Sequence, residues 1–583
     1  MNYFKDFGSF WKQLRTISRD ILLINKKKAV AILAGKSLSA LLPLIQIYLI
    51  KLLVDLVTTQ TASTKQLPIL LICFGLTQIL MSMLSQITSL WENSLQQEVS
   101  DQFGNRIIDK TFQLEYAVLE EPALQNSLFL AQQQSRLRVN QLLPALYNTF
   151  SAALSMIFLV ILFVGLKAYF FLLILLLALP ITIHKWILGK KASDLEFTLA
   201  PKERESQYLF QVLTGLPWAK ESRTFEFRTP FQTQFTKIRE WIRVKKNKIQ
   251  QSGIKQGLFI EVIEVCFMVG ILVHLSINTL DANMSVGFFI LYLQGVQRLQ
   301  SSSKTFFQSL LQLFQLRTFV KDLYAFLALP EKNNENQTEE AGGNEGVKVE
   351  NLFFAYPHAA KPVLKNISLN ARKGEIVAIV GENGSGKSTL VKLLAVLYEP
   401  QEGKILFNGN KIEKESGSFL FQDFQRYQYS AESNIHFSLT PSQRETEAAK
   451  SAAAMSSADE FIHLMARGYQ TNLGNLHQGS TDLSGGQWQK LALARIFYQK
   501  KSLVVLDEPS SALDAFAELD LYQNIRAAFS DNIVILISHR LYNLKLADRI
   551  YVMQDGSIVD EGSFQELISR EGLFKSMYDK QKI

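Results

Sequence analysis

A glycine-rich segment at residues 381–389 has the residue types and spacing of a phosphate-binding loop. It follows the strand-like run Ile376–Val380 and precedes the helix-like stretch Leu390–Leu397. Glycines let backbone N–H groups curl around phosphates, a lysine adds positive charge, and a serine hydroxyl suits Mg²⁺. The residues expected to hold a nucleotide are Gly381, Asn383, Gly384, Ser385, Gly386, Lys387, Ser388 and Thr389, with Ser388 also a ligand of Mg²⁺.

Two carboxylates follow a second strand-like run, Leu503–Leu506. They are Asp507 and Glu508, and ligands of open α/β sheets bind at the carboxyl ends of the strands. We predict that Asp507 holds Mg²⁺ and that Glu508 polarises the water attacking the γ-phosphate, since phosphoryl transfer depends on positioning and charge stabilisation. The alternative, an acidic pair capping the turn before Pro509, is disfavoured by the glycine loop upstream. A third run, ending at Ser538-His539, adds polar groups to this edge, although His539 alone would indicate a structural role.

Long apolar runs precede residue 320, whereas charge and glycine motifs gather after it. A membrane-spanning helix needs about 20 mostly apolar residues. Six stretches reach that length, and several exceed it, which predicts helices that continue into water. They are Ala29–Val57, Leu67–Leu90, Leu142–Leu166, Tyr169–Leu188, Gly257–Ile277 and Val286–Leu316.

The segments between these spans predict an orientation. Thr58–Gln66 and Asn278–Ser285 hold one Lys and no Arg, whereas Trp91–Gln141 and Gly189–Gln256 are long and rich in both. Because positive residues favour the cytoplasmic side, the long segments are predicted to be cytoplasmic.

Each long segment is broken near its middle, at Pro122 and at residues 215–217, and therefore predicts a helical hairpin with a short tip. The tips are either docking surfaces for a protein partner or merely solvated turns. Docking is favoured by their aromatic and charged residues, which are Phe129, Trp218, Arg223, Phe225 and Phe227.

Composition bounds the class of protein. A net charge of +8 could indicate nucleic-acid binding, but the basic clusters flank apolar segments, as at Lys26–Lys28, and are interpreted as cytoplasmic anchors. Cys73 and Cys266 lie in apolar stretches and are interpreted as buried thiols, too few for a disulfide scaffold or metal site. Phe4–Ser18 is interpreted as an amphipathic helix at the membrane surface, because no cleavable apolar core begins early in the chain.

The predicted fold class is an α-helical polytopic membrane domain of six transmembrane helices plus an α/β P-loop ATPase domain. The segment Glu331–Gly346 is polar and cannot bury a core, which predicts a linker. After it, apolar runs alternate with helical segments as in an α/β sheet. The predicted divisions are 1–328 for the membrane domain, with an N-terminal elbow helix and two long cytoplasmic loops, 329–346 for the linker, and 347–583 for the nucleotide-binding domain.

The segment Leu483–Gln487, Leu-Ser-Gly-Gly-Gln, resembles the signature sequence of ABC ATPases. Its glycines permit close approach to a phosphate, and Trp488–Phe497 would supply a helix N-terminus. In that family the signature completes the ATP site of the opposite subunit, so the resemblance implies a head-to-tail sandwich of two nucleotide domains. The signature residues implied in ATP binding are Ser484, Gly485, Gly486 and Gln487.

Further matches to the family follow along the nucleotide-binding domain. Tyr356 resembles the aromatic residue that stacks on adenine, and Gln422 the glutamine that contacts Mg²⁺ and the membrane domain. Asp514 lies in a segment that resembles the loop across the dimer, and His539 resembles the switch histidine. The resemblance implies ATP and Mg²⁺ as cofactors, catalytic roles for Glu508, His539 and Gln422, and metal contacts from Ser388, Gln422 and Asp507.

With six spans ahead of that domain, the chain is similar to the exporter branch of the ABC superfamily, in which the second cytoplasmic loop docks on the partner's ATPase. The tips near Pro122 and Trp218 would be the coupling helices. Intact Glu508 favours a homodimer with a second copy of the chain, and a heterodimer stays open. One departure is Asn472–Gly479, which lacks the acidic and arginine residues that exporters often carry there.

Ionisable residues inside a span are costly and usually face a cavity or a partner. Glu261 and Glu264 are three residues apart, hence on one helix face, and Phe259 and Phe267 flank them. They are interpreted as a substrate site for a cationic or amphipathic molecule. The alternative is that these charges lie in water or pair with other residues.

The sequence predicts an ATP-hydrolysing exporter in the inner (plasma) membrane of a bacterium, with a cytoplasmic nucleotide domain. It would move an amphipathic substrate, such as a peptide or drug, out of the cytoplasm by alternating access. The wording of Gln422–Phe424 and Trp488–Leu491 is similar to bacterial peptide and antimicrobial-peptide exporters. A lipid flippase of the same architecture is the alternative. Soluble ABC ATPases of DNA repair or translation are disfavoured by the six spans, and no nucleic-acid partner is expected.

Overall fold

The computed structural model describes residues 15–58, 66–162, 168–281, 284–330, 345–357, 359 and 361–581. Two compact units are present. Unit 1 comprises Met1–Gln113 and Pro122–Pro330, and unit 2 comprises Leu114–Glu121 and Glu331–Ile583. Most of the predicted linker, most of the predicted elbow helix and the side chain of Phe129 lie outside the described residues.

Unit 1 is built mainly from long helices. A short helix lies between two of them in the chain but belongs to unit 2. In chain order these helices are α1 (15–24), α2 (Lys26–Thr58), α3 (Gln66–Gln113), α4 (Tyr116–Leu119, in unit 2), α5 (Pro122–Leu162), α6 (Ala168–Thr214), α7 (Ala219–Thr224), α8 (Arg228–Leu280) and α9 (Val286–Leu327). At about 1.5 Å per residue, the 48-residue α3 is roughly 70 Å long, well beyond the apolar thickness of a bilayer. This length is what the predicted continuation of the helices into water requires, and that continuation stays a prediction.

Within the described residues, four helices are long and apolar enough to cross a membrane: Lys26–Thr58, Gln66–Gln113, Asn140–Ile161 and Arg228–Leu280. The predicted spans Tyr169–Leu188 and Val286–Leu316 lie on α6 and α9. The number of six spans stays a prediction. Where α2, α5, α8 and α9 meet, a buried apolar cluster includes Leu44, Leu159, Ile271 and Leu299.

The two predicted breaks of the long segments are confirmed. Helix α3 ends at Gln113 and α5 begins at Pro122, where a proline is tolerated in the first turn. Between α6 and α8, a 3₁₀ turn, Leu216–Trp218, leads into α7. The interpretation of the two cysteines as buried is wrong: Cys73 and Cys266 are both exposed, because apolar positions of a membrane helix can face lipid instead of a core.

Unit 2 contains two sheets. An antiparallel sheet has the order β2-β1-β4-β5, with β1 Gly346–Phe354, β2 Leu364–Arg372, β4 Glu402–Phe407 and β5 Asn410–Lys411. The second sheet has the order β10-β9-β3-β8-β7-β6, with β3 Ile376–Gly381, β6 Gly417–Leu420, β7 Leu503–Asp507, β8 Ile533–Ile537, β9 Arg549–Gln554 and β10 Ser557–Gly562. All its pairs are parallel except β9 with β10. Strands β3, β7 and β8 are buried along their whole length, as apolar strands covered on both faces should be.

Within the described residues, unit 2 also contains eight α-helices after β3. They are α10 (Lys387–Leu394), α11 (Ala431–His436), α12 (Gln443–Met455), α13 (Asp459–Ile462), α14 (Gly485–Gln499), α15 (Ala515–Ala528), α16 (Phe564–Ser569) and α17 (Leu573–Gln581). Of these, α10, α14 and α16 contact the second sheet. Because β3, β8 and β7 are neighbours, the residues that follow them meet at one edge of the sheet.

Candidate nucleotide site

The glycine loop joins β3 to α10, as predicted. The helix begins at Lys387, three residues earlier than predicted, because Gly386 precedes it in the left-handed region with φ +102°. A Cβ atom at Gly381 would lie 2.2 Å from the Met553 carbonyl oxygen, so a side chain cannot fit there. The loop places backbone N–H groups in front of a helix N-terminus, an arrangement that binds phosphate.

The Lys387 ammonium lies inside this loop. Its Nζ donates to the carbonyl oxygens of Gly381 and Glu382, at 2.9 Å each. Burial lowers the pKa of Lys387, and the negative charges of Asp507 and Glu508 partly oppose that effect. The structure therefore places the predicted cation between the phosphate loop and the predicted acidic pair.

Asp507 has the chemistry of a Mg²⁺ ligand. It is 3% exposed at the end of β7, and its Oδ1 has no hydrogen-bond partner among the described residues. Burial raises the pKa of Asp507, whereas its hydrogen bond with Ser388 lowers it. Mg²⁺ prefers oxygen ligands and commonly takes one or two from protein and others from phosphates and water. The residues therefore fit a metal that is shared with the nucleotide.

Glu508 is contacted by both other residues with predicted catalytic roles. His539 Nε2 lies 2.6 Å from Glu508 Oε1, and Gln422 Nε2 donates to Glu508 Oε2 at 3.1 Å. Glu508 adopts a left-handed φ of +53°, which costs about 1–2 kcal/mol for a residue with a Cβ atom. Its N–H donates to the Ile537 carbonyl of β8 at 3.0 Å, which helps hold this conformation.

Sequence reasoning missed Gln489, which is buried on α14. Its Nε2 donates to the Glu508 carbonyl at 3.0 Å and to Ser511 Oγ at 3.1 Å, and its Oε1 accepts from the Ala512 N–H at 2.8 Å. The side chain thereby joins the signature helix to the backbone of the candidate catalytic residue. The position of a glutamine on a helix does not indicate its partners, so the sequence offered no local signal for this role.

A second missed residue is Glu518 on α15, which is fully buried. It accepts hydrogen bonds from Ser510 Oγ, from Arg540 Nη1 at 2.5 Å and from Tyr542 Oη at 3.2 Å. A buried carboxylate needs such partners. The network connects the segment after Glu508 with the segment after His539.

The signature forms the first turn of α14, which begins at Gly485 and not at Trp488 as predicted. Ser484 caps the helix by accepting from the Gln487 N–H at 3.3 Å, and Gln487 Oε1 accepts from the Ser484 N–H at 3.0 Å. Asp514 similarly caps α15. In the described part of the chain, no hydrogen bond joins the signature to the glycine loop.

Tyr356 lies beside the glycine loop, with its Oη 3.1 Å from Thr389 Oγ1. Its ring packs edge-on against Phe354 and Tyr398, at centroid distances of 5.1 and 5.3 Å, and Lys392 Nζ lies 5.4 Å from its centroid. The predicted adenine-stacking residue is thus part of an aromatic cluster next to the loop.

The segment Leu114–Glu121 joins this cluster. The ring of Tyr116 packs edge-on against Tyr398 at 5.6 Å, Tyr398 Oη donates to Glu120, and Lys392 Nζ lies 3.9 Å from Glu120 Oε1. These contacts explain why eight residues located between α3 and α5 group with unit 2.

The two predicted substrate residues lie in different surroundings. Glu264 is buried, 3.0 Å from Lys304 Nζ, and accepts a hydrogen bond from Gln300. Glu261 is exposed. The structure therefore does not bring the two carboxylates into a shared pocket, and it gives Glu264 the paired environment that was the alternative interpretation. Their role in substrate binding stays a prediction.

Comparison with known proteins agrees with this geometry. Residues 364–511 match the family model described as ABC transporter. The chain is 28% identical over 587 residues to the subtilin transport ATP-binding protein of Bacillus subtilis (99% of this chain, 95% of the relative). It is 29% identical over 605 residues to the nisin transport ATP-binding protein of Lactococcus lactis subsp. lactis (99% and 98%).

Two other similarities are partial or structural. An ATP-dependent lipid A-core flippase of Haemophilus ducreyi is 30% identical over 363 residues, 60% of this chain and 61% of the relative. A solved structure described as a bacterial Atm1-family ABC exporter with ATP bound superposes with a TM-score of 0.77, at 20% identity, over 97% of this chain and 99% of that chain. The chain therefore has an exporter fold and contains an ABC transporter domain, which implies ATP binding and an ATPase coupled to transport.

Proposed function

We propose that this chain is one half of a dimeric, ATP-driven peptide exporter of a bacterial inner membrane. The observation that carries the proposal is the convergence of Gln422 and His539 on Glu508, beside Lys387 and Asp507. Whole-length similarity to transport proteins of subtilin and of nisin supports a peptide as the substrate class. The nucleotide unit would lie in the cytoplasm, because the long basic segments between the spans favour the cytoplasmic side of the membrane.

In this proposal, the glycine loop and Lys387 bind the ATP phosphates, and Tyr356 contacts the adenine. When bound by Asp507 and Ser388, Mg²⁺ supplies charge neutralisation at the phosphates. Glu508 accepts a proton from the attacking water, and Gln422 and His539 hold its carboxylate in place. Closure of two nucleotide units on ATP turns the helical unit outward, and product release resets it by alternating access.

The partner is a second copy of the chain. Among the described residues no hydrogen bond joins the signature to its own glycine loop, which supports a composite site completed by the signature of another subunit. The tip between α6 and α8 carries the exposed apolar residues Leu216 (65%) and Phe225 (71%), which suit docking on the partner's nucleotide unit. A homodimer is favoured because every copy carries Glu508, Lys387 and the signature.

The proposal is tested by ATP hydrolysis of the purified protein in lipid nanodiscs, challenged separately with peptide, lipid and small-drug fractions of its native cells. Stimulation confined to the peptide fraction is expected. Glu508→Gln should bind ATP but hydrolyse it at least about 100-fold more slowly, because an amide cannot accept the proton. Wild-type phosphate release by this variant would exclude Glu508 as the catalytic base.

A lipid flippase is the second candidate function, and one finding favours it: several lipid A-core flippases are similar to about 60% of this chain. Stimulation by the lipid fraction alone would establish this candidate in place of the peptide exporter. A response to the drug fraction alone would contradict both.

A further inference from the structure

The C-terminal helix α17 reaches the segment that carries His539. Gln581 Nε2 donates to the His539 carbonyl at 2.5 Å, and Gln581 Oε1 accepts from the Leu541 N–H at 2.9 Å. One side-chain amide therefore satisfies a backbone acceptor and a backbone donor on the two sides of Arg540. Such a two-point contact fixes the backbone more strongly than a single hydrogen bond does.

Helix α17 is itself anchored to the core of unit 2. Phe574 is fully buried and its ring packs against Phe564 at 5.8 Å, while Tyr578 packs against Phe564 at 5.6 Å. Packing of the helix is thus provided by residues other than Gln581, which is exposed and makes only polar contacts with the segment 539–541.

The segment 539–541 also makes contacts that do not involve Gln581. The Arg540 guanidinium binds the buried Glu518, and Ser538 Oγ accepts from the Arg540 N–H at 3.0 Å. Gln581 thus contacts the backbone of this segment and Glu518 pairs with its arginine, while the His539 imidazole lies 2.6 Å from Glu508.

We propose that Gln581 is a positioning residue for ATP hydrolysis, whose amide holds the His539 backbone so that the imidazole stays against Glu508. The inference rests on the proposed role of His539. Gln581 contacts no residue of the glycine loop among the described residues, so it should affect the chemical step and not the binding of ATP.

The test compares the full chain in nanodiscs as wild type, Gln581→Ala and Lys580→Ala, the last being an exposed neighbour on α17. Gln581→Ala should lower kcat about three- to tenfold, as expected for the loss of one or two neutral hydrogen bonds, with KM for ATP unchanged. Lys580→Ala should behave as wild type. Gln581→Glu keeps the acceptor for Leu541 but opposes the His539 carbonyl, so it should lose activity at least as far as Gln581→Ala.

A double-mutant cycle separates positioning from general destabilisation. In single-turnover hydrolysis, adding Gln581→Ala to His539→Ala should cause no further loss, because both changes act through the same imidazole. Independent, multiplying effects would overturn the proposal, as would wild-type kcat in both Gln581 variants. If Gln581→Ala unfolds at a lower temperature than Lys580→Ala, the kcat of the size-matched Gln581→Glu is used in its place to test the positioning role. A wild-type rate in His539→Ala would remove the premise and the inference with it, while the test of Glu508→Gln would stand.

Discussion

Asp507 and Lys387 show how burial and charge oppose each other in this site. Both side chains are nearly inaccessible, and burial disfavours the charged form of each, raising the pKa of Asp507 and lowering that of Lys387. Each therefore carries an energetic cost that a bound phosphate and its metal would relieve. The site is arranged for its ligand and not for the stability of the protein alone.

This cost predicts a gain in stability for Asp507→Asn. Because burial raises the folded pKa of Asp507, its stabilising contribution is present at low pH and is lost as pH rises through the folded pKa, a loss that an amide would not suffer. Without Mg²⁺ and nucleotide, the amide should raise the unfolding temperature, by about 2–4 °C if it recovers about 1 kcal/mol. ATP hydrolysis should be lost.

Asp514→Asn is the matched control for that measurement. Asp514 is an exposed helix cap, and asparagine caps a helix as well as aspartate does, so its unfolding temperature should not change. A lower unfolding temperature for Asp507→Asn than for the wild type would contradict the argument.

The two acidic residues of α8 should respond differently to neutralisation. Glu264→Gln leaves Lys304 without its partner and should lower the unfolding temperature, with a cost of order 1 kcal/mol since Lys304 is partly exposed. Glu261→Gln should leave stability unchanged and reduce substrate-stimulated ATP hydrolysis. Thermal unfolding and turnover in nanodiscs measure both. Unchanged stimulation in Glu261→Gln would exclude Glu261 from the substrate site.

At the residue scale, chemistry could be predicted where type and spacing coincide. The nine residues of the glycine loop and the Asp507–Glu508 pair each follow an apolar strand directly, and this combination of motif and position is specific to nucleotide-binding sites. Gln489, Glu518 and Gln581 could not be predicted, because a glutamine or glutamate on a helix has no local signal for its partner. Their roles depend on contacts across 19 to 42 positions of sequence.

Helix α14 connects several parts of the site at the scale of the element. Its first turn is the signature, Gln489 follows on its buried face, and Arg495 lies deeper in the core. Arg495 donates to the Asn434 and Gln425 carbonyls, at 2.8 and 2.9 Å, and burial lowers its pKa to about 10. The helix therefore contacts the backbone on both sides of the candidate catalytic centre, near Gln422 and at Glu508.

This arrangement predicts that Gln489→Ala lowers kcat roughly tenfold or more while KM for ATP changes little. The substitution leaves the Glu508 carbonyl and the Ala512 N–H without their partner, so the backbone that holds Glu508 is released. Steady-state hydrolysis checks the prediction, with Gln499→Ala, an exposed position on the same helix, as the control. A raised KM with normal kcat would place Gln489 in nucleotide binding instead.

Element types were easier to predict than element ends. The predicted strands are all present because continuous apolar runs have few alternatives to a buried parallel sheet. The starts of α10 and α14 were predicted three residues late. Helix α10 begins after Gly386, which adopts a left-handed conformation, and α14 begins after Ser484, which forms a capping box. The spacing of apolar residues gives no information about either feature.

At the scale of the whole molecule, the proposed composite site predicts a cross-link between the signature of one copy and the glycine loop of another. Chains lacking Cys73 and Cys266 and carrying Asn383→Cys should form a disulfide with chains carrying Ser484→Cys, and ATP should increase its yield. The reason is that a disulfide requires Cα atoms within about 7 Å, a distance the closed sandwich would provide. Electrophoresis of oxidised, mixed samples measures it.

Its control is the same oxidation of each chain type alone, where neither cysteine has a partner of the other type. Equal cross-linking with and without ATP would contradict the nucleotide-closed dimer. A chain carrying both cysteines that closes a disulfide within itself would contradict the composite site.

The two-part organisation of the molecule could be read from composition, since apolar spans and glycine motifs occupy different parts of the chain. The grouping of Leu114–Glu121 with unit 2 could not, because eight residues of mixed aliphatic, aromatic and acidic type do not indicate what they pack against.

The position of Leu114–Glu121 bears on how the protein is made. A ribosome completes these residues about 280 residues before it reaches Tyr398, so the surface that receives them does not yet exist when the first helices enter the membrane. The closure of so long a loop must wait for the end of synthesis, although its entropic cost grows only slowly with length. Until then Tyr116 is an unburied aromatic residue next to nascent helices, a natural site for a chaperone to bind. Unit 2 can therefore be completed only late, after most of the chain has been synthesised.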